Sequence, residues 1–164
     1  MEIVEKIALE TCDIYQEADK NVVLAMTWLH DYGKMVDFSN QYESTQVKGS
    51  ELMGSLGFEK DFISKTIMFI KMLDSKLAID INKAPLEVKI LSSADGAAHF
   101  VGPFFFLWWY ENSNKKFEEL MEDNEKKALK DWNKKVVIPE IREKFEPRFK
   151  FLLEQAGNLP EKYL

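Results

Sequence analysis

"KNVVLAMTWLHDYGKM", Lys20 to Met35, runs apolar residues into an abrupt polar ending. The run predicts a helix from about Lys20 through Leu29 that stops near Gly33, because glycine just past the last periodic residue is a common helix ending. His30 and Asp31 arrive together at that end, behind Trp28 and Leu29. Helical neighbours point about 100° apart, so two adjacent side chains meet one atom only where the helix loosens or where that atom lies near its end. A divalent cation in such a place can draw one imidazole nitrogen and one carboxylate oxygen into its first shell. The plainer alternative makes His30 a C-terminal helix cap and leaves Asp31 solvated. For the dipeptide alone that alternative is the stronger.

The same helical period extends in both directions. Ile3, Val4, Ile7, Ala8, Thr11, Ile14 and Tyr15 recur at three- and four-residue spacing and predict an amphipathic helix upstream. Downstream, "STQVKGSELMGSL" predicts a third helix with Gly57 just past its end, and Phe62, Ile63, Ile67, Phe69 and Ile70 a fourth. Pro85 suits the first turn of a fifth, whose Leu86, Val88, Ile90 and Leu91 lead into "SSADGAAHF". "FVGPFFFLWWY", Phe100 to Tyr110, reads as a buried helix: core rather than a base-stacking platform, with part of it suited to a subunit interface in a homo-oligomer. Phe117, Leu120, Met121, Leu129 and Trp132 mark the inner face of a charged helical third that Pro139 and Pro147 divide. The lysines and glutamates of that tail read as a solvated face. No alternating strand pattern stands out. The expectation is all-α: a single-domain multi-helix bundle over residues 1–164, with its motifs in 1–110 and a charged helical extension over 112–164.

Bulk properties narrow the function classes. With 164 residues, 46% of them hydrophobic, the chain suits one well-packed domain. The single cysteine, Cys12, cannot form an internal disulfide and points to a reducing, cytoplasmic setting. Glu2, Glu5 and Glu10 interrupt the early apolar residues, so no signal peptide is expected. The most apolar segment is too short to span a bilayer, which excludes a membrane partner. A net charge of −6 argues against sequence-independent nucleic-acid binding but leaves room for a small anion at a local cation.

A second motif alters the balance at His30 and Asp31. Asp95 lies among small and apolar residues, where an unpaired charge is costly. Asp95 and His99 are spaced to share a helical face, and the chain's 2 histidines each have an aspartate at metal-binding spacing. A local ion pair or helix cap explains Asp95 and His99 on spacing alone equally well.

"LHDYGK", Leu29 to Lys34, resembles the His-Asp-x-Gly-Lys signature of the HD-domain superfamily of metal-dependent phosphohydrolases, and "SADGAAHF", Ser93 to Phe100, is similar to its distal Asp motif. The resemblance covers roughly the first 110 residues. It implies an HD-type fold, one divalent cation held by His30, Asp31 and Asp95, and a small phosphorylated substrate such as a nucleotide. The family's remaining ligand, a first-helix His, would fall at Met1 or just before it, so either the natural reading frame starts upstream or this member has lost the ligand. Gln41 stands where many relatives carry a second-metal His, which speaks against a two-metal site. Lys34 stands where some members carry a catalytic glutamate.

For an enzyme, residue chemistry then has the cation polarise a phosphoryl oxygen, Lys34 meet a phosphate oxygen as a point charge and His99 act as general acid, while a plain helix C-terminal cation explains Lys34 equally well. Mg²⁺ or Mn²⁺ suits the carboxylates, and the imidazole also admits Fe²⁺, Ni²⁺ or Zn²⁺. Two readings stay open: a phosphate-ester hydrolase, which is preferred, and a degenerate HD domain acting as a non-catalytic ligand-sensing or interaction module.

Overall fold

The N-terminal apolar repeat forms α1 (Glu2–Ile14), whose first turn carries Glu2 and Glu5 where negative charge complements the helix dipole. Asp19 caps α2 (Lys20–Leu29) by accepting a hydrogen bond from the Val22 amide at 3.2 Å. After α2 the chain turns through α3 (Tyr32–Val36) and a 3-10 turn at Phe38–Asn40 into α4 (Gln41–Ser55), then α5 (Lys60–Met72). A second 3-10 turn, Ile81–Lys83, precedes α6 (Leu86–Ala98), followed by α7 (Phe104–Glu111), α8 (Phe117–Lys134) and α9 (Pro139–Gln155). This computed structural model describes residues 1–74, 79–158 and 161–162, and among them there is no β-strand. The chain is an all-α, single-domain bundle. No described helix is long and apolar enough to cross a membrane.

Helix α6 is the axis of the fold, and α1, α2, α5, α8 and α9 all pack on it. Val88, Ile90, Leu91, Ala94 and Ala97 are fully shielded there, as are Val22, Val23 and Met26 of α2. Burying each branched side chain is worth about 1.5–3 kcal/mol relative to exposure. The polar residues of α6 are small and serve the same contact. Ser93 Oγ accepts hydrogen bonds from the amides of Val137 at 2.9 Å and Ile138 at 3.1 Å, holding the α8–α9 connection against α6. One turn on, Gly96 leaves room that any side chain would fill: a Cβ there would meet Lys135 Cβ at 2.9 Å and Val136 Cγ2 at 3.0 Å. Small residues on α6 thus bring the end of α8 alongside Asp95.

Several sequence expectations need correction. Gly33 does not end α2, which stops at Leu29; it lies inside α3, where a Cβ would fall 1.9 Å from the Gln41 carbonyl oxygen and 2.6 Å from Thr45 Oγ1. Its amide donates to Thr45 Oγ1 at 2.9 Å, so close approach of α4, not helix termination, requires the glycine. Pro147 does not divide the tail; α9 runs through it, forgoing one backbone donor, while Pro139 occupies the first turn where that loss is free. Phe117 and Leu129 belong to the outer side of α8, whose inner face carries Leu120, Asn124, Ala128, Asp131 and Trp132.

The aromatic segment departs furthest. Only Phe105 of α7 is buried, while Phe106, Leu107 and Tyr110 are 50%, 53% and 83% exposed. The helix is apolar all round, yet its packing is chiefly onto α8, which covers one side.

Candidate functional site

Three elements converge on the carboxyl-terminal end of α6. His30 is the C-cap residue of α2, Asp31 opens α3, and Asp95 and His99 occupy the last turn and C-cap of α6. His30 Nδ1 lies 2.8 Å from the Thr27 carbonyl oxygen, so it donates its proton there and closes the helix end. The capping role foreseen for this histidine is therefore real, and with Nδ1 engaged, Nε2 is the nitrogen that the neutral ring has free for a ligand bond. Nε2 faces two carboxylates, 3.8 Å from Asp31 Oδ1 and 3.7 Å from Asp95 Oδ1.

Each carboxylate divides its oxygens between two tasks. Asp31 Oδ2 accepts from Lys34 Nζ at 2.7 Å and Asp95 Oδ2 from Lys135 Nζ at 2.6 Å, while both Oδ1 atoms turn toward His30. Asp31 is thus not merely solvated. His99 is not chiefly a local partner of Asp95, since Nε2 stands 3.8 Å from Asp95 Oδ1. Its firm contact is Nδ1 donating to Asp131 Oδ2 at 2.7 Å, with the ring stacked 4.0 Å from Phe104. Asp131 Oδ2 also accepts from Lys127.

Lys127 and Lys135 come from the tail whose lysines and glutamates are expected to form a solvated face, and both are instead half-buried beside the fully buried Asp131. Asp131 is 0% exposed, and the side chains of Lys127 and Lys135 are only 37% and 33% exposed. Their sequence signal is the four-residue spacing 127, 131, 135 beside the inward Ala128 and Trp132, which puts all three on the buried face.

The charges hold one another in place. Burial pushes the Asp95 carboxyl up, but the His30 imidazole beside it and the charges of Lys135 and His99 win and hold it well below the usual carboxylate range. Asp131 is likewise lowered against the push of burial, by His99, Lys135 and Lys127. Burial pushes His30 down, yet Asp95 and Asp31 raise it overall. Lys135 is also raised, because Asp95 and Asp131 outweigh its desolvation. At Lys127 burial prevails and lowers the ammonium.

Among the described residues no group of three His, Cys, Asp or Glu side chains forms a ready-made metal cage. Asp31 Oδ1 and Asp95 Oδ1 instead each make a near contact with His30 Nε2. Ligands about 2.1 Å from a shared cation stand about 3.0–3.4 Å apart in octahedral or tetrahedral order, so each of these two pairs must close by roughly 0.3–0.8 Å. Their chemistry fits: one imidazole nitrogen with its other nitrogen bonded to a carbonyl, and two ionised oxygens. A groove of about 710 Å³ between α4 and α5, lined by Gln46, Val47, Ser50, Ile63, Ile67 and Met68 among others, includes none of these residues.

Comparison of the chain with known protein families, characterised proteins and solved structures finds no match.

Proposed function

We propose that the chain is a metal-dependent hydrolase of phosphate esters of the HD-domain type, acting on a small nucleotide or a related phosphomonoester or diester. The observation that carries this reading is the orientation of the two aspartates, each tied to a lysine through Oδ2 and aiming Oδ1 at Nε2 of His30. His30, Asp31 and Asp95 hold the divalent cation, one of Mg²⁺, Mn²⁺, Fe²⁺, Ni²⁺ or Zn²⁺. When bound, that cation supplies Lewis-acid polarisation of a phosphoryl oxygen and a lowered pKa for attacking water.

The remaining steps belong to the protein. Lys34, 46% exposed at the rim, swings from Asp31 to a phosphate oxygen as a mobile point charge. His99, fixed at Nδ1 by Asp131, directs Nε2 toward the Asp95 side and passes a proton to the leaving oxygen. Asp131 is the buried counter-charge to the imidazolium that gives up this proton, and it keeps its bond to Nδ1 once the ring is neutral. Three carboxylates, Asp31, Asp95 and Asp131, face three ammoniums, Lys34, Lys127 and Lys135, so a divalent cation leaves a surplus positive charge suited to a phosphate dianion.

One observation favours a second reading, a non-catalytic ligand-sensing module: both metal-facing aspartates already have lysine partners and are electrostatically satisfied. The test is metal analysis of the purified protein, then turnover of a phosphomonoester and phosphodiester panel with Mn²⁺, Mg²⁺ or Ni²⁺. Hydrolysis that disappears in the His30→Ala, Asp31→Ala double variant supports the enzyme. Hydrolysis that survives in it overturns this site, and phosphate binding with no turnover under any metal establishes the second reading.

A further inference from the structure

We infer that Lys135 is a built-in stand-in for the metal: its ammonium occupies Asp95 in the metal-free protein and moves to Asp131 when Asp95 turns to a cation. The inference rests on the metal-site reading above and adds to it a device that sets metal affinity.

The starting point is a buried defect. Asp131 is 0% exposed, its carboxyl is held ionised, and Oδ2 accepts from both His99 and Lys127. Oδ1 of the same carboxylate is buried and, among the described residues, accepts no hydrogen bond. A buried anionic oxygen left without a donor costs free energy, so a vacant acceptor here requires a physical reason. Lys135 Nζ lies 3.8 Å from that Oδ1 and is bonded instead to Asp95 Oδ2 at 2.6 Å. Lys135 therefore stands between two carboxylates and serves one at a time.

The backbone beneath this choice is fixed. Gly96 admits the Lys135 Cβ at close range, Ser93 grips the amides of Val137 and Ile138 just beyond it, and the Lys135 amide bonds to the Asp131 carbonyl at 2.9 Å. Only the far end of the flexible side chain is free to move, and the distance is about one hydrogen-bond length. Leaving Asp95 Oδ2 does not strand the ammonium, because Asp131 Oδ1 is waiting. Asp95 becomes available to a cation, and the orphan oxygen acquires its donor. Two buried charges exchange partners without either becoming unpaired.

The consequence is a metal affinity lower than the bare donor set would give, since binding must first displace the lysine. Apparent affinity is reduced by the fraction of molecules already in the binding-competent arrangement. Removing the ammonium lifts this penalty, whereas removing the waiting acceptor deepens it.

The experiment is titration of Co²⁺ or Mn²⁺ into the full chain, read by the cobalt absorption band or by calorimetry. Lys135→Met, Lys135→Gln and Asp131→Asn are compared with the parent, and circular dichroism checks that each is folded. Both Lys135 variants should bind about tenfold tighter and Asp131→Asn about tenfold weaker, as for an arrangement populated to about one tenth. Affinity in the Lys135 variants that equals the parent's, or falls below it, overturns the stand-in role while leaving the metal site intact. A parent protein that binds neither ion at millimolar concentration overturns the metal-site reading and the stand-in with it. If Lys135→Met does not fold, Lys135→Gln carries the test; if neither folds without metal but both fold when it is added, the lysine is shown to fill the cation's place.

Discussion

Helices α6 and α7 are neighbours in the chain and opposites in composition. The segment Ser92–Ala98 is built of small and polar residues, yet Ser92, Ser93, Ala94, Gly96 and Ala97 are buried. The segment "FFFLWWYE" is the most apolar in the protein, yet only Phe105 is buried. The difference lies in their neighbours. Five helices close on α6, and its serines and glycine are what allow them so near, whereas α7 packs chiefly on α8. Burial follows from what a residue permits its neighbours to do as well as from its own hydropathy. Polar residues survive in the interior when they bond to passing backbone, as Ser93 does with Val137 and Ile138.

Four variants test that contrast. The largest effect is expected where α8 closes over α6. Asp131→Ala strips a buried carboxylate from His99 and Lys127, and removing one partner of such a cluster costs about 3–5 kcal/mol. Urea unfolding should show a large drop in midpoint, and an unchanged midpoint would mean the cluster contributes nothing to closure. Gly96→Val comes next: its side chain enters the space held by Lys135 and Val136, and overpacking of this kind costs about 1–3 kcal/mol. If the variant is as stable as the parent, the close approach of α8 is not needed.

A smaller effect is expected at the opposite end of α6, where the Asp19 amide donates to Glu87 and the Asp19 carboxylate accepts from Lys65 and the Val22 amide. Asp19→Ala removes a helix cap at about 1 kcal/mol. Burial pushes this carboxyl up, but Lys65 and the Val22 amide lower it overall. A depressed folded-state value means the contribution is present above the unfolded carboxylate value of about 3.9 and disappears as pH falls through the lower folded one. Parent and variant should differ at pH 7 and converge in strong acid; a gap that persists there would show that the carboxylate charge is not its source. The smallest effect belongs to α7. Serine at both Phe106 and Leu107 should leave stability within about 0.5 kcal/mol of the parent, as for exposed positions. A loss as large as that of Gly96→Val would show that another surface covers this helix in solution.

What could be read from the sequence was local. The end of α2, the pairing of His30 with Asp31 and the placing of Asp95 on a helix follow from period, capping and spacing within a few residues, and the structure brings all three to one end of α6. The other half of the cluster was only partly legible. The spacing of Lys127, Asp131 and Lys135 beside Ala128 and Trp132 marks an inward face, but what that face meets, α6 at Gly96, lies on a helix distant in sequence. Gly33 was legible as a special position but not as a crossing with α4, because the crossing partners Gln41 and Thr45 lie on another helix. Pro147 shows the same limit in reverse: a residue that discourages helix locally is carried along by the packing of α9, where Ile141 and Phe149 are buried on either side of it.

The clasp that Ser93 places on the α8–α9 connection also has a consequence for how the protein is made. Translation up to the end of α7 delivers His30, Asp31, Asp95 and His99, but none of the groups from the α8 end that hold His99 and Asp95 in position. Until α8 and its connection to α9 have left the ribosome, a nascent chain carries His99 and Asp95 with their charges ungripped. The cluster is therefore assembled only after the helix that follows α7 has been made.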